Sequence, residues 1–216
     1  MKFSAINILN LIKEYNVKEI EEMCLTQIRI EESEKAGKYT LAKQKTAALN
    51  CLSKDKTREL LTHAWIEQEK QIICNGFLAI AFNEVQSYLP IQREDFKGEH
   101  PKLLQSITEA KNTITETIKA IEIKDIVIQQ IATNKIENKV KSKAIKKKII
   151  IPAIITLSEF RIGFNPEFMN NAICALGGYD KCSIGWPNKA TSPIFIESDE
   201  GIAIVLPVRI KEDITQ

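Results

Sequence analysis

The chain has 216 residues, 44% of them apolar and 27% charged, a globular balance that supplies one sizeable core and argues against wholesale disorder. Eight glycines and seven prolines exclude collagen-like and linker-dominated chains, and with aromatics at 6% the core must be mostly aliphatic. The net charge of +2 hides an asymmetry: residues 135–148 hold seven Lys and one Glu, or +6, which leaves −4 on the remainder. Such a basic segment is either a phosphate-binding element or a solvated connection between strands.

In chain order, Ser4 can cap a helix to about Tyr15, with Ile8, Leu9, Leu11 and Ile12 as its apolar side. A second helix is expected over 17–35, with Ile20, Met23, Cys24 and Ile28 near one stripe and Gly37 as its stop. Thr40 starts a third helix through Ala47, Ala48, Leu49 and Leu52. Near residue 57 the pattern changes to strands, over Leu60–Glu67 and Gln71–Phe82, the latter carrying an Asn75-Gly76 turn or bulge. Residues 84–100 read as loop, and Pro101 opens a helix through about Ala120. Ile123–Ile131 then reads as a strand, as do Ile149–Leu157, with Pro152 marking an edge or a bulge, and Phe160–Phe164. Asn165-Pro166-Glu167 is a helix start, Phe168, Met169, Ala172, Ile173 and Leu176 are its buried side, and Gly177-Gly178 is its end. Strands over Lys181–Trp186, Pro193–Glu197 and Gly201–Ile210 close the chain, with Asp199-Glu200-Gly201 as the last hairpin turn.

This order predicts an α+β protein, with an N-terminal helical segment over 1–55 and a body over 56–216. In the body, helices near 101–120 and 166–176 are expected on one face of an antiparallel sheet.

No run approaches the ~18 consecutive apolar residues of a membrane span, and the start lacks the long apolar core of a secretory signal. The five cysteines, Cys24, Cys51, Cys74, Cys174 and Cys182, are odd in number and widely spread, which reads as reduced thiols of a cytoplasmic protein. Enzyme signatures are scarce. His63 alternates with Trp65 as a sheet-face residue, His100 precedes Pro101 in a charged stretch, and there is neither a Cys-x-x-Cys pair nor a glycine-rich phosphate loop. Neither a catalytic carboxylate pair, nor a metal, nor a cofactor is expected.

The last fifty residues carry a resemblance. Arg161-Ile162-Gly163-Phe164-Asn165-Pro166-Glu167-Phe168-Met169 resembles the "G-F-N-x-x-Y-L" strand-to-helix step of the third domain of the bacterial DNA polymerase III beta subunit, the sliding clamp. Ala175-Leu176 stands at the family's helix end, Ser192-Pro193-Ile194-Phe195-Ile196 at its "S-P" strand, and Leu206-Pro207-Val208-Arg209-Ile210 at its C-terminal "hydrophobic-P-V/M-R-hydrophobic". Upstream, Arg58-Glu59-Leu60-Leu61 to Gly76-Phe77-Leu78-Ala79 is similar to another clamp step, with Asn75-Gly76 where the family has Asp-Gly.

The resemblance implies a DNA-clamp-like domain that holds duplex DNA weakly and without reading bases, because tight readout would stop sliding. Its candidates for DNA contact are Lys102, Lys111 and Lys119 on the first body helix, and Lys139, Lys141, Lys143, Lys146, Lys147 and Lys148 in the basic segment; solubility explains the helix lysines equally well. It also implies a groove for peptides of DNA polymerase and other replication proteins at Leu206, Pro207, Val208 and Arg209, where Leu206 and Val208 read otherwise as ordinary strand residues. A family protomer has three such domains and this chain has room for one, so a ring implies a homo-oligomer or a partner. The function expected is a non-catalytic replication or recombination accessory protein, of phage or mobile-element origin. The alternative is a protein-interaction module or decoy with the clamp fold and no DNA function.

Overall fold

The computed structural model describes residues 41–91, 100–141, 150–157 and 160–210, together with isolated helical positions at Glu21, Cys24, Leu25, Ile28, Arg29 and Glu31. The helix expected over 4–15, most of that over 17–35, the loop over 92–99, residues 142–149 and the tail 211–216 lie outside the described residues.

Helix α1, Leu41–Asn50, buries Ala42, Gln44, Ala47 and Ala48; Gln44, Ala47 and Ala48, at a three-to-four spacing, make one helical face. Gln44 is buried, and its side-chain amide donates to the Ala175 carbonyl at 3.0 Å. The expected strand over Leu60–Glu67 is shorter: Glu59–Leu61 is a 3-10 turn, and only Trp65–Glu67 forms strand β1. The hairpin that leaves β1 turns on Gln68 and Glu69, both at positive φ (49° and 66°), without the Asn-Gly pair that normally announces such a turn. The long run to Phe82 divides into β2, Lys70–Cys74, and β3, Leu78–Phe82, at Asn75, whose side-chain oxygen accepts from the N–H groups of Phe77 and Leu78.

The middle of the chain departs most from its sequence reading. The helix expected over 101–120 is only Leu103–Lys111 (α2). Its end is set by Thr113, whose hydroxyl and N–H both donate to the Ala110 carbonyl, at 2.8 and 3.0 Å. Beyond it the β-branched run Ile114–Lys119 becomes strand β4, paired with the strand over 183–187. Ile123–Ile131 is not a strand. A 3-10 turn, Ala120–Ile123, leads into helix α3, Lys124–Lys141. Its buried positions are Val127 and Asn134, continuing from Ile123, with Ile131 packed beside them, while Ile126, Ile128 and Ile136 are exposed. The spacing of the buried residues is helical; the isoleucine density that reads as a strand comes from the exposed ones. Asn134 then anchors the returning chain, donating to the Ile151 carbonyl and accepting its N–H, both at 3.0 Å.

Strand β5, Ala153–Thr156, begins just after Pro152 and pairs with β6, Arg161–Phe164. Helix α4, Pro166–Ala175, starts as its sequence announces: the Asn165 side chain accepts from the N–H groups of Glu167 and Phe168 at 2.9 and 3.4 Å, with proline in the first turn. The remaining strands are β7 (Ser183–Pro187), β8 (Ile194–Ser198), β9 (Gly201–Val205) and β10 (Pro207–Val208).

Among the described residues, one sheet has seven strands in the order β1-β2-β3-β9-β8-β7-β4, and a second has three, β10-β6-β5; every ladder is antiparallel. The α+β class and the antiparallel sheet stand. The two expected helices, however, lie on opposite faces of the large sheet. Leu78, Ile80 and Phe82 of β3 point into a core shared with α1, α3, α4 and the small sheet, whereas Ala79 and Ala81 point into a second core shared with Leu104, Ile107 and Ala110 of α2. A sheet covered on both sides has strands that are apolar at nearly every position, so the chain carries no local mark of which side each helix takes.

The five cysteines are buried and unbonded to one another. Burial pushes the Cys182 thiol from 9.0 up to about 12, and desolvation raises Cys51 as well. Above pH 9 the unfolded chain forms thiolates that the folded one does not, so stability is expected to fall as pH rises from 9 toward 12. Iodoacetamide at pH 8 should leave Cys51 and Cys182 unmodified until denaturant is added; labelling of the native protein, read by mass spectrometry, would show that these sites open. Among the described residues, no group of three or more His, Cys, Asp or Glu side chains is placed to hold a metal, and no helix is long and apolar enough to cross a membrane.

Candidate functional site

The C-terminal strand changes sheets. β9 runs beside β3 in the large sheet up to Val205, opposite Leu78, and the Leu206 N–H donates to the Phe77 carbonyl at 2.9 Å. One residue later the chain belongs to the small sheet, with Pro207 opposite Phe164 and Val208 opposite Gly163. Proline has no N–H for a ladder, and here it opens a strand at a sheet edge, where none is needed. Gly163 makes the close approach possible: a Cβ there would lie 3.0 Å from the Val208 carbonyl oxygen and 2.9 Å from Cγ1 of Ile210.

This crossover leaves apolar side chains in the open. Leu206 is 39% and Val208 37% exposed, so neither is a core residue. Pro207, Val208, Arg209 and Ile210 line a concavity of about 690 Å³ whose other wall is Phe160, Arg161, Gly163, Ala190 and Thr191. Edge strand β10 and two arginines, Arg161 and Arg209, contribute to its lining, and its volume lies within the ~300–1,000 Å³ of small-ligand sites. It offers what an extended apolar segment with a carboxylate nearby requires: aliphatic surface, backbone groups at an open strand edge, and planar cations for bidentate contact. Leu206 does not line this concavity and sits instead beside Phe77.

The structure thus gathers three of the four predicted C-terminal residues in one hollow and adds Arg161 and Gly163, which belong to the strand-to-helix motif. Phe160, Ala190 and Thr191 were not legible as partners, because nothing local ties residues 160–163 and 190–191 to residue 208.

The predicted lysines are not gathered in the same way. Lys102 precedes α2, and Lys111 ends it with its Nζ 2.7 and 3.0 Å from the Glu197 carboxylate oxygens and 5.5 Å from the Phe195 ring centroid. Lys119 is the last residue of β4 rather than a helix residue, and its N–H donates to the Glu122 carboxylate at 2.9 Å. Lys139 is exposed on α3, and Lys141 ends that helix. Lys143, Lys146, Lys147 and Lys148 lie outside the described residues. Lys111 lies on α2, whose buried side joins one core, and Lys139 on α3, whose buried side joins the other. The histidines have structural surroundings: His63 Nδ1 is 2.8 Å from the Thr62 hydroxyl, and His100 stacks on Trp65 with centroids 4.9 Å apart and planes 7° apart.

No protein-family profile matches the chain, and no curated protein does. Solved structures similar to it include the DNA polymerase III beta subunit of Thermotoga maritima, at 12% identity over 79% of this chain and 64% of that one, with a TM-score of 0.46. The beta subunit of DNA polymerase from Streptococcus pyogenes aligns at 12% identity over 79% and 64%, with a TM-score of 0.45. The sliding clamp of Bartonella birtlesii, solved bound to griselimycin, aligns at 12% identity over 78% and 64%, with a TM-score of 0.46. The chain spans less than two thirds of the length of these clamps and is similar to them at low identity, while its α+β class rests on its own strand pairing.

Proposed function

We propose that this protein is a non-catalytic, sliding-clamp-like accessory protein of DNA replication, and that it docks short peptides of DNA polymerase or other replication proteins beside its C-terminal strand. The observation that carries this reading is the hollow itself: Pro207, Val208 and Arg209 share it with Arg161 and Gly163, so two sequence segments that resemble the clamp separately are walls of one concavity. A second reading, capture of protein partners without DNA contact, is favoured by the Lys111–Glu197 ion pair, which occupies one of the candidate DNA-contact lysines within the chain itself.

The test is fluorescence anisotropy with a labelled clamp-binding peptide from a replicative polymerase. The wild-type protein should bind it, and Val208→Asp, which puts a charge on the apolar wall, should weaken binding tenfold or more, about 1.4 kcal/mol. Leu206→Asp should do so as well if the apolar surface extends to Phe77. Both side chains are more than a third exposed, so the melting temperature should stay close to that of wild type. Failure of the wild type to bind, or equal binding by Val208→Asp, overturns the reading.

A further inference from the structure

A second concavity, of about 610 Å³, opens where the end of α1 and the loop after it meet α3, α4 and the β2–β3 turn. It shares no lining residue with the hollow at the C-terminal strand. One wall is aromatic: Phe77, 53% exposed, stacks on Phe168 with ring centroids 6.0 Å apart and planes 15° apart. Around it stand the cations Lys54, Arg58 and Lys135, brought from the loop and from α3. The Arg58 guanidinium is seated against the turn, since a Cβ at Gly76 would lie 2.8 Å from its Nη1.

Of the two carboxylates that line the concavity, Asp55 is occupied locally. It accepts from the Thr57 N–H at 2.9 Å and from the Thr57 hydroxyl at 2.6 Å, and these bonds hold its pKa below the ordinary value. Its approach to Arg58 Nε is loose, at 3.8 Å, and both side chains are about half exposed, so the guanidinium keeps donors for another anion. With Glu167 as the other carboxylate, three cations face two acids among the described residues. Asn171, half-buried on α4, adds an amide that can both donate and accept.

We propose that this concavity binds a nucleotide unit, with the base against the open face of Phe77 and the phosphate among Lys54, Arg58 and Lys135. A flat aromatic wall beside long-stemmed cations is what base stacking and phosphate neutralisation each require, and stacking accepts any base. The stacked pair is already assembled: Phe168 lies against Phe77, which is still more than half exposed, and this lowers the ordering cost of a base landing on it. The same chemistry is offered by a free nucleoside phosphate and by one residue of a single strand. The inference goes beyond the peptide reading and does not depend on it.

The experiment measures anisotropy of a labelled oligothymidylate on the full chain across a salt series. Wild type should bind with a salt-dependent affinity. Phe77→Ala should weaken binding by about 5- to 150-fold, the value of one stacked base. Lys135→Gln, at an exposed helix position, should reduce the salt slope by about 0.7, because one phosphate is no longer neutralised. This second variant keeps the test decisive should Phe77→Ala disturb folding. Displacement by thymidine monophosphate identifies a free nucleotide as the source, and displacement by unlabelled oligothymidylate alone identifies a strand; either upholds the site. Absence of binding, equal affinity of Phe77→Ala and wild type, or displacement by polyglutamate as strong as by oligothymidylate overturns it, the last assigning the concavity to acidic peptides. The polymerase peptide read on Val208→Asp reports the C-terminal hollow, and oligothymidylate read on Lys135→Gln reports this concavity, because neither residue lines the other site, so failure of one reading is distinguishable from failure of the other.

Discussion

Gly201→Ala is expected to break the large sheet at its centre. β9 lies between β3 and β8, and Gly201 is paired with Phe82 on one side and Ser198 on the other. Its φ is +151°, a conformation costly for a residue with a side chain, and a Cβ there would stand 2.3 Å from the Ala81 carbonyl oxygen and 3.0 Å from Cα of Phe82. Those are backbone atoms and cannot swing aside as a flexible side chain would. Strain of about 1–3 kcal/mol and overpacking of about 1–3 kcal/mol are together a large share of the stability of a small protein, about 5–15 kcal/mol. The urea midpoint followed by circular dichroism should drop steeply or vanish. A midpoint equal to that of wild type would mean that β3 and β9 are not in the register Phe82–Gly201.

Trp186→Ala should come next in size, for a different reason. Trp186 is 1% exposed on β7 of the large sheet, and its ring meets Phe164 of the small sheet at a centroid distance of 6.2 Å and a tilt of 37°. The pair joins the two sheets, and truncating a buried aromatic costs about 3–5 kcal/mol because the cavity does not fully collapse. For a chain of this size each kcal/mol shifts the melting temperature by about 2–4 °C, so calorimetry should record a fall of about 6–20 °C. Trp186→Phe should recover most of it. A fall within 1–2 °C for the alanine variant would show that the sheets do not meet at this ring.

How much was legible depended on whether the determining interaction was local. Helix α4 could be read residue by residue, because its cap, its first-turn proline and its Gly-Gly stop lie within the helix and its flanks. The proline that moves the C-terminal strand out of the large sheet was equally local in effect, since a missing N–H needs no partner to be felt. Helix α2 was recognisable but not its length. Its N-terminus is capped from β1 by Glu67, whose carboxylate oxygens accept from the Leu103 and Leu104 N–H groups at 3.1 and 3.2 Å, and its would-be continuation is taken by the β7 ladder. Helix α3 reads as a strand for the same kind of reason: only packing into the larger core distinguishes its buried Val127 and Asn134 from the exposed isoleucines around them.

The site divides along the same line. The resemblance to the sliding clamp marked Leu206 to Arg209 and the Arg161–Phe168 step as separate segments. Their meeting across Gly163, the stacking of Phe77 on Phe168, and the convergence of Lys54, Arg58 and Lys135 are products of tertiary packing. By itself the sequence determined the α+β class, the antiparallel strands, the start and stop of α4, and the edge position of the last strand, all set by backbone sterics and hydrogen bonding within a few residues. Only the tertiary structure decided which face of the sheet each helix covers, where α2 gives way to β4, and which side chains share a hollow. Those outcomes follow from burial against residues far away in the chain, and burial has no local signature when a sheet is apolar on both of its faces.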